Sequence, residues 1–429
     1  MTTAQIYQLF LMHPVVETDT RKIVRDCIFF ALKGENFDGN RFAAEALEKG
    51  AAYAVIDEAE YYIDNRTVLV EDTLKTLQEL ALFHRRQFKI PVLGITGSNG
   101  KTTSKELIAA VMSTKFKVTS TQGNLNNHIG VPLTLLRITS ETEFAIIEMG
   151  ANHGGEIAIL SALAEPDYGI ITNIGKAHLE GFGSFEMIKK TKGELYEHVK
   201  SGNGIIFYNQ DNPILTDLLG DYPRKVSYGI NDAWLKGEAH LAPPYIHAYI
   251  YFSEEKSEVK THLTGSYNFE NIMAAACIGK YFKVEPRQII KAIEGYIPQN
   301  NRSQLVERSG LKIIMDAYNA NPTSMKASIE SFASVFSEPK HLILGDMLEL
   351  GEQSVDEHIQ VLQKIQEYHF EAVFLVGPIF MQAAAPFSFR VFGQTDELAV
   401  YLKAHPIKEG AVLVKGSRGI KLEKIVEFL

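Results

Sequence analysis

Pro91-Val92-Leu93-Gly94-Ile95-Thr96-Gly97-Ser98-Asn99-Gly100-Lys101-Thr102-Thr103 is an apolar strand that runs into a glycine-rich turn and ends in Lys-Thr-Thr at the mouth of a helix. Gly97 and Gly100 let the backbone of Ser98 and Asn99 curl, so that successive N–H groups point inward at a phosphate. The start of the helix, at Thr102 and Thr103, adds its partial positive charge. Lys101 has the reach for β- and γ-phosphates, and the Thr102 hydroxyl suits Mg²⁺. The stretch therefore predicts a nucleoside triphosphate site. Its spacing is G-x-x-G-x-x-G-K-T-T; Ile95 stands where the strict G-x-x-x-x-G-K-[ST] pattern has its first glycine.

Outward from this loop the chain reads as α/β, with strands and helices alternating over most of its length. Its 429 residues exceed what one core usually supports. Three domains are expected: 1–86, a small α/β unit; 87–299, a central P-loop domain on a parallel sheet; and 300–429, a Rossmann-like α/β domain. The central strands are predicted at 92–96, 144–149, 168–174 and 204–208, and residues 224–264 are strand-rich. The last domain places strands at 312–316, 341–344, 372–376 and 411–414. The turn-forming run Gly295-Tyr296-Ile297-Pro298-Gln299-Asn300-Asn301 is the candidate hinge.

Composition narrows the function classes. A net charge of −9 argues against a general nucleic-acid binder, whose phosphate contacts want a basic surface. Cys27 and Cys277 lie far apart in apolar contexts and read as buried thiols of a reducing compartment. With neither a signal-peptide pattern nor a run of about 18 apolar residues, the chain is expected to be cytoplasmic and without stable membrane association; a monomer is the expected state.

Other residues carry chemistry in context. Glu148 ends an apolar strand, where P-loop folds hold a second contact to Mg²⁺; any strand can also end in an exposed Glu. His178, after Thr172-Asn173-Ile174-Gly175-Lys176-Ala177, leaves a strand end on the side where ligands bind in open α/β sheets, although Mg²⁺ prefers oxygen and a single His is often structural. Lys192, in Lys189-Lys190-Thr191-Lys192, reads by itself as part of a solvated helix face. Asn124, Asn126 and Asn127, in a Gly/Asn-rich turn before Pro132, are either a surface loop or amides lining a polar groove. Asp316, Tyr318, Asn319 and Asn321 follow another apolar strand. Asp316 can accept from ribose hydroxyls, and Asn319 and Asn321 can fix a small polar substrate; Asn321-Pro322-Thr323 also reads as a helix start. Arg302 and the turn Lys415-Gly416-Ser417-Arg418 are cationic spots suited to phosphate or carboxylate.

In this order along essentially the whole chain, these motifs resemble the Mur ligase family, ATP-dependent amide ligases of peptidoglycan precursor synthesis. The resemblance implies ATP and Mg²⁺ as cofactors. It implies Glu148 and His178 at the Mg²⁺ site beside Thr102, with Lys101, His178 and Lys192 in the catalytic machinery and Lys192 carried as a carbamate. Asn268 and Asn271, in Tyr267-Asn268-Phe269-Glu270-Asn271, match the motif where the family holds adenine; Asn268 also suits a helix N-cap. Arg302, Asp316 and Lys415 match positions brought onto the nucleotide when the C-terminal domain closes.

The run Asp316-Ala317-Tyr318-Asn319-Ala320-Asn321-Pro322-Thr323-Ser324-Met325 looks like the signature of the member that adds D-alanyl-D-alanine to UDP-N-acetylmuramoyl-tripeptide. The Asp-Asn-Pro-Arg run of the diaminopimelate- or lysine-adding member is absent. Asp19-Thr20-Arg21 and Gly34–Phe42, with Thr20, Arg21 and Asp38, resemble the UDP-binding N-terminal domain; Asn40 stands where many relatives have His. A folylpolyglutamate-type ligase is the nearest alternative, and the unit before Pro91 argues against it. Outside ligases the alternative is a P-loop nucleotide-gated binding module.

Overall fold

Three large sheets and a two-stranded one organise the described residues of the computed structural model, which are all except Asn300 and Glu338. The first strands are Val16–Glu17 (β1), Ile28–Phe30 (β2), Lys33–Gly34 (β3), Phe37–Asp38 (β4), Tyr53–Ile56 (β5) and Thr67–Leu69 (β6). Strands β1-β2-β5-β6 form a parallel sheet, and β3 and β4 a separate hairpin. One face of the sheet buries Cys27, Phe29, Ala31, Ala54 and Ile56 against Ala43, Ala46 and Leu47 of the helix Ala43–Glu48.

The middle sheet has nine strands: Val92–Thr96 (β7), Val118–Ser120 (β8), Phe144–Glu148 (β9), Tyr168–Ile171 (β10), Ile205–Asn209 (β11), Lys225–Gly229 (β12), Leu235–Ala242 (β13), Tyr245–Tyr251 (β14) and Lys256–Lys260 (β15). Strands β7, β9 and β11 are almost wholly buried apolar runs, the pattern of strands covered on both faces. The strand-rich stretch 224–264 ends in an antiparallel meander, β13-β14-β15. Strands joined by short turns, with no crossover helix between them, pair this way.

The last sheet runs β16-β17-β21-β18-β19-β20, from Gln304–Arg308 (β16), Leu311–Asp316 (β17), Lys340–Gly345 (β18), Ala372–Val376 (β19), Arg390–Phe392 (β20) and Ala411–Lys415 (β21). All pairs are parallel except β16 with β17. Its core packs Ile313, Met315, Ile343, Phe374, Val376, Val412 and Val414. The edge strands β16 and β20 are not evident in the sequence: β16 ends in Glu307-Arg308 and buries no residue fully, and β20 has only three residues and begins with Arg390.

At the end of β18 the fully buried Asp346 accepts the backbone N–H groups of Ile379 and Phe380 at 2.9 and 2.8 Å. Burial pushes its carboxyl upward. Nearby, His358 Nδ1 donates to the Ser354 carbonyl and Nε2 accepts from Met347 N–H at 3.0 Å. Burial pulls this imidazole down to about 4, so it is neutral at pH 7.

By packing, the chain groups into two units: Met1–Gly94 with Phe116–Gly150 and Glu156–Tyr168, and Ile95–Lys115 with Ala151–Gly155 and Gly169–Leu429. Within the first, the helix Thr73–Arg85 is bonded to later segments. His84 Nε2 donates to Ile138 O at 2.8 Å, and Arg85 Nε to Ala164 O at 3.0 Å. Both cysteines are buried free thiols. Among the described residues no helix is long and apolar enough to cross a membrane.

Candidate active site

The loop after β7 has the backbone its glycines predict. Gly97 and Gly100 have φ of +144° and +78°, and Gly100 opens the helix Lys101–Met112 from the left-handed region. Sterics require glycine at both positions. A Cβ on Gly97 would lie 2.0 Å from Thr172 Oγ1, and one on Gly100 would lie 2.6 Å from Asn271 Oδ1. Lys101 Nζ donates to the Gly97 and Ser98 carbonyls at 2.6 and 3.3 Å. Ser98 N donates to Asn173 O, and Ser98 Oγ bonds both the N–H and the carbonyl of Gly175. Asn99 N donates to Asn173 Oδ1 at 3.0 Å, and its carbonyl accepts from Thr172 Oγ1 at 2.6 Å. These contacts fix the loop's shape from groups of the protein itself.

Asn271 and Asn268 spend their amides on that shape. Asn271 Oδ1 accepts from Ser104 Oγ at 2.8 Å, and its Nδ2 donates to Asn268 Oδ1 at 2.7 Å. Asn268 Nδ2 in turn donates to Thr264 O at 2.7 Å. Asn268 does not cap its helix: the N-cap is Tyr267, without a side-chain bond. Tyr296, in the hinge candidate, donates its phenol to Glu106 Oε2 at 2.6 Å, on the helix that follows the loop. Burial is the main cause, and Glu106 a further one, of that phenol's raised pKa. Asn300 of the same candidate lies outside the described residues.

The second half of the site is a seam between the segment after β10 and the C-terminal sheet. Asn321 caps the helix Pro322–Val335, accepting Ser324 N at 2.9 Å, while its Nδ2 donates to Asn99 Oδ1 at 2.7 Å. Thr323 Oγ1 accepts Lys176 N–H at 3.1 Å, and a Cβ on Gly175 would meet that hydroxyl at 2.8 Å. Lys176 Nζ pairs with the buried Glu357 at 2.5 Å. His178 has φ +53° and its Nδ1 bonds Glu349, holding that carboxyl below its ordinary range. Glu180 N donates to Glu349 O at 3.1 Å.

Glu148 is 1% exposed; its N–H donates to Thr121 Oγ1 at 2.9 Å and its Oε1 accepts from Asn126 Nδ2 at 2.8 Å. Asn126 therefore aims Glu148, and Asn127 Oδ1 fixes the following turn by accepting the N–H groups of Ile129 and Gly130. Of the three loop asparagines only the exposed Asn124 has no side-chain hydrogen bond among the described residues.

Lys192 corrects its stand-alone reading as a solvated surface residue. It is 2% exposed, donates to Ala151 O at 3.2 Å and lies 5.3 Å from the Phe182 ring centroid. Its helix Phe185–Ser201 buries Ile188, Thr191, Lys192, Leu195, Tyr196 and Val199. That spacing is the helical period, and it was the available signal for a buried lysine.

In the C-terminal sheet the β17–β21 register sets Asp316 opposite Lys415. Lys415 Nζ donates to Asp316 Oδ2 at 2.5 Å, which also accepts from Ser328 Oγ at 3.1 Å. Asp316 Oδ1 accepts Ser303 N–H at 3.3 Å. Arg302 and Arg418 both lie against the Tyr318 ring, with Cζ 3.5 and 5.3 Å from its centroid. Exposed Asn319 turns its Oδ1 back to Ala320 N–H.

Among the N-terminal candidates, Arg21 is held bidentate on Asp19, which caps the turn Thr20–Lys22. Hydrogen bonds from Arg21 lower the Asp19 pKa to about 2. The Thr20 carbonyl accepts from Lys49 Nζ at 3.2 Å. Asp38 Oδ1 accepts from the N–H and amide of Asn40 at 3.0 and 2.9 Å. Fully buried Asn40 also donates to Asp57 Oδ1 at 2.9 Å and accepts Asp57 N–H at 3.0 Å. Asn40 is a structural node that ties Asp38 to Asp57, a role its sequence context does not reveal.

A glycine loop between a strand and a helix, bonded to a C-terminal α/β sheet, fits a nucleotide-dependent α/β ligase, and the chain belongs to the Mur ligase family. The family's "catalytic domain", "middle domain" and "glutamate ligase domain" models match residues 15–85, 95–279 and 301–418, giving the three-domain α/β fold. Over 99% of its length and 94% of the relative's, the chain is 38% identical to the UDP-N-acetylmuramoyl-tripeptide--D-alanyl-D-alanine ligase of Bacillus subtilis. It superposes on MurF from Acinetobacter baumannii with a TM-score of 0.89, 28% identity and 99% and 98% coverage. For MurF ligase from Thermotoga maritima in complex with ADP, the TM-score is 0.85, at 28% identity and 97% coverage of both chains.

Proposed function

We propose that this chain is an ATP-dependent ligase that adds D-alanyl-D-alanine to UDP-N-acetylmuramoyl-tripeptide, in the cytoplasm and as a monomer. One contact above all supports the reading: Asn321, inside the run 316–325 that resembles the dipeptide-adding signature, is hydrogen-bonded to Asn99 of the phosphate loop. A segment that selects the amine is thereby tied to the loop that takes the triphosphate. The names of the relatives point the same way. The proposed domain limits are 1–86 for the UDP-substrate, 87–299 for ATP and 300–429 for the closing C-terminal domain.

In this mechanism the terminal carboxylate of the tripeptide attacks the γ-phosphorus of ATP, giving an acyl phosphate and ADP. The dipeptide amine then adds to the acyl carbon, loses a proton, and the tetrahedral intermediate expels phosphate to leave the amide. Lys101 and the N–H groups at the start of its helix neutralise and orient the phosphates, while the N–H groups of Ser98 and Asn99 are held by Asn173 and shape the loop. Asn268 and Asn271 set the loop and the adenine side, and Arg302 with Asp316 the nucleotide from the C-terminal domain. Thr20, Arg21, Asp38 and Asn124 serve the UDP-substrate; Tyr318, Asn319 and Arg418 face the amine. Asn126 and Asn127, Lys415 and Asn321 act through the residues they hold.

For Mg²⁺ the donors fit in kind: the Thr102 hydroxyl and a Glu148 carboxylate held in place by Asn126. A cation that travels with a triphosphate needs only one or two protein oxygens. Among the described residues no group of three or more His, Cys, Asp and Glu could hold a metal by itself. Thr102 and Glu148 would hold Mg²⁺, with His178 and a carbamylated Lys192 as further candidates, and the ion would supply charge neutralisation for the transferred phosphate.

The test is phosphate release from ATP, Mg²⁺, UDP-N-acetylmuramoyl-tripeptide and D-alanyl-D-alanine. Release is expected only with every component present. Release without the dipeptide would make the chain a nucleotide-gated module, and release requiring glutamate and a folate would make it a folylpolyglutamate-type ligase. The seam makes its own prediction. Asn321→Ser keeps a helix-capping oxygen but is too short to reach Asn99. KM for ATP should rise roughly fivefold to tenfold, the worth of one hydrogen bond, with the thermal midpoint unchanged. An unaltered KM would detach Asn321 from the nucleotide.

A further inference from the structure

We infer that Arg418 holds the free carboxylate of the incoming amine substrate, and that Lys415, the other cation of the same turn, does not; the inference rests on the ligase reading above. Lys415 is 2% exposed and already neutralised by Asp316, its partner across the β17–β21 register. Ser328 Oγ and Ser303 N–H also donate to that carboxylate. A second anion would have to draw a buried lysine from its carboxylate and leave Asp316 uncompensated, which is costly.

Arg418 is in the opposite state. It is exposed, and no carboxylate pairs with it among the described residues. Its guanidinium rests against Tyr318, inside the substrate-selecting run, and Arg302 rests against the same ring. Two guanidinium groups sharing one aromatic ring repel each other, and a bound anion relieves that repulsion. A guanidinium against a ring keeps its edge N–H groups available, and that edge matches a carboxylate with two parallel hydrogen bonds.

The chemistry says which anion this is. The triphosphate is met by the loop, the helix start and Lys101. The tripeptide carboxylate is consumed in the reaction. The diphosphate of the other substrate falls to the N-terminal domain in the reading above; the anion that the amine substrate itself brings is the carboxylate at the far end of the dipeptide, and fixing it aims the amine at the acyl carbon.

The experiment compares D-alanyl-D-alanine with its C-terminal carboxamide in the full chain. The wild type should prefer the free acid by roughly tenfold to a hundredfold in kcat/KM, the worth of hydrogen bonds to a charged group. Arg418→Gln should lose most of that preference with KM for ATP unchanged, and Arg418→Lys should restore part of it. A wild type indifferent to the carboxamide, or an Arg418→Gln variant as selective as the wild type, overturns the inference and leaves the ligase reading standing. A wild type that does not turn over the dipeptide at all sinks both.

Discussion

Lys101→Ala is expected to abolish ligation, with kcat falling on the order of a thousandfold or more, and to leave the fold intact. The size follows from what phosphoryl transfer asks of a protein: positioning, and neutralisation of charge on crowded oxygens. Lys101 stands at the first position of the helix, and its Nζ lies on the Gly97 and Ser98 carbonyls, already inside the curve of the loop. Moving from those carbonyls to a phosphate exchanges two neutral acceptors for a charged one, a favourable swap only when the nucleotide is present. The same geometry predicts little loss of stability. The loop is also held by Ser98 to Gly175, by Asn99 to Asn173 and Thr172, and by Asn271 through Ser104. Phosphate release and a thermal melt check both halves. Turnover within tenfold of wild type would remove the loop lysine from the mechanism.

What was legible in the sequence follows the range of each interaction. The strand–loop–helix at 92–112 could be read because its chemistry is local: apolar strand, glycines, lysine, helix start. The same holds for the apolar strand ending at Glu148. What sequence could not supply are partners far along the chain. Asn271 explains why Gly100 must be glycine, yet the two are joined only by folding. Asn126 looked like a groove amide and proves to aim a carboxylate 22 residues later. Lys415 and Arg418 were one cationic turn by sequence; only the strand register, which pairs Lys415 with Asp316, tells them apart. Lys192 was recoverable, since Ile188, Leu195, Tyr196 and Val199 mark the buried face of its helix. The three neighbouring lysines masked that pattern by their shared charge.

The burial of Lys192 carries the second large effect. Lys192→Ala should reduce ligation on the order of a thousandfold, and short carboxylic acids such as acetate or formate should restore part of it. Carbamylation joins a neutral amine to CO₂: the nitrogen bonds the carbon, one proton leaves, and a cation becomes an anion with two acceptor oxygens. The side chain is enclosed rather than solvated, between the Ala151 carbonyl at 3.2 Å and the Phe182 ring. Enclosure favours a group whose charge is met by a specific partner over one that relies on water. Alanine leaves the space of the lost side chain open, and a small carboxylate can occupy it with the same charge that the carbamate would carry. An ordinary structural lysine gives the reverse pattern, because a free acid cannot replace its packing or its donor. The modification also has a readout independent of turnover: ¹³CO₂ should give a carbonyl resonance in the wild-type protein that is missing from Lys192→Ala. Full activity of Lys192→Ala at ambient CO₂, or a carbonyl signal that persists in the variant, would assign Lys192 to packing alone.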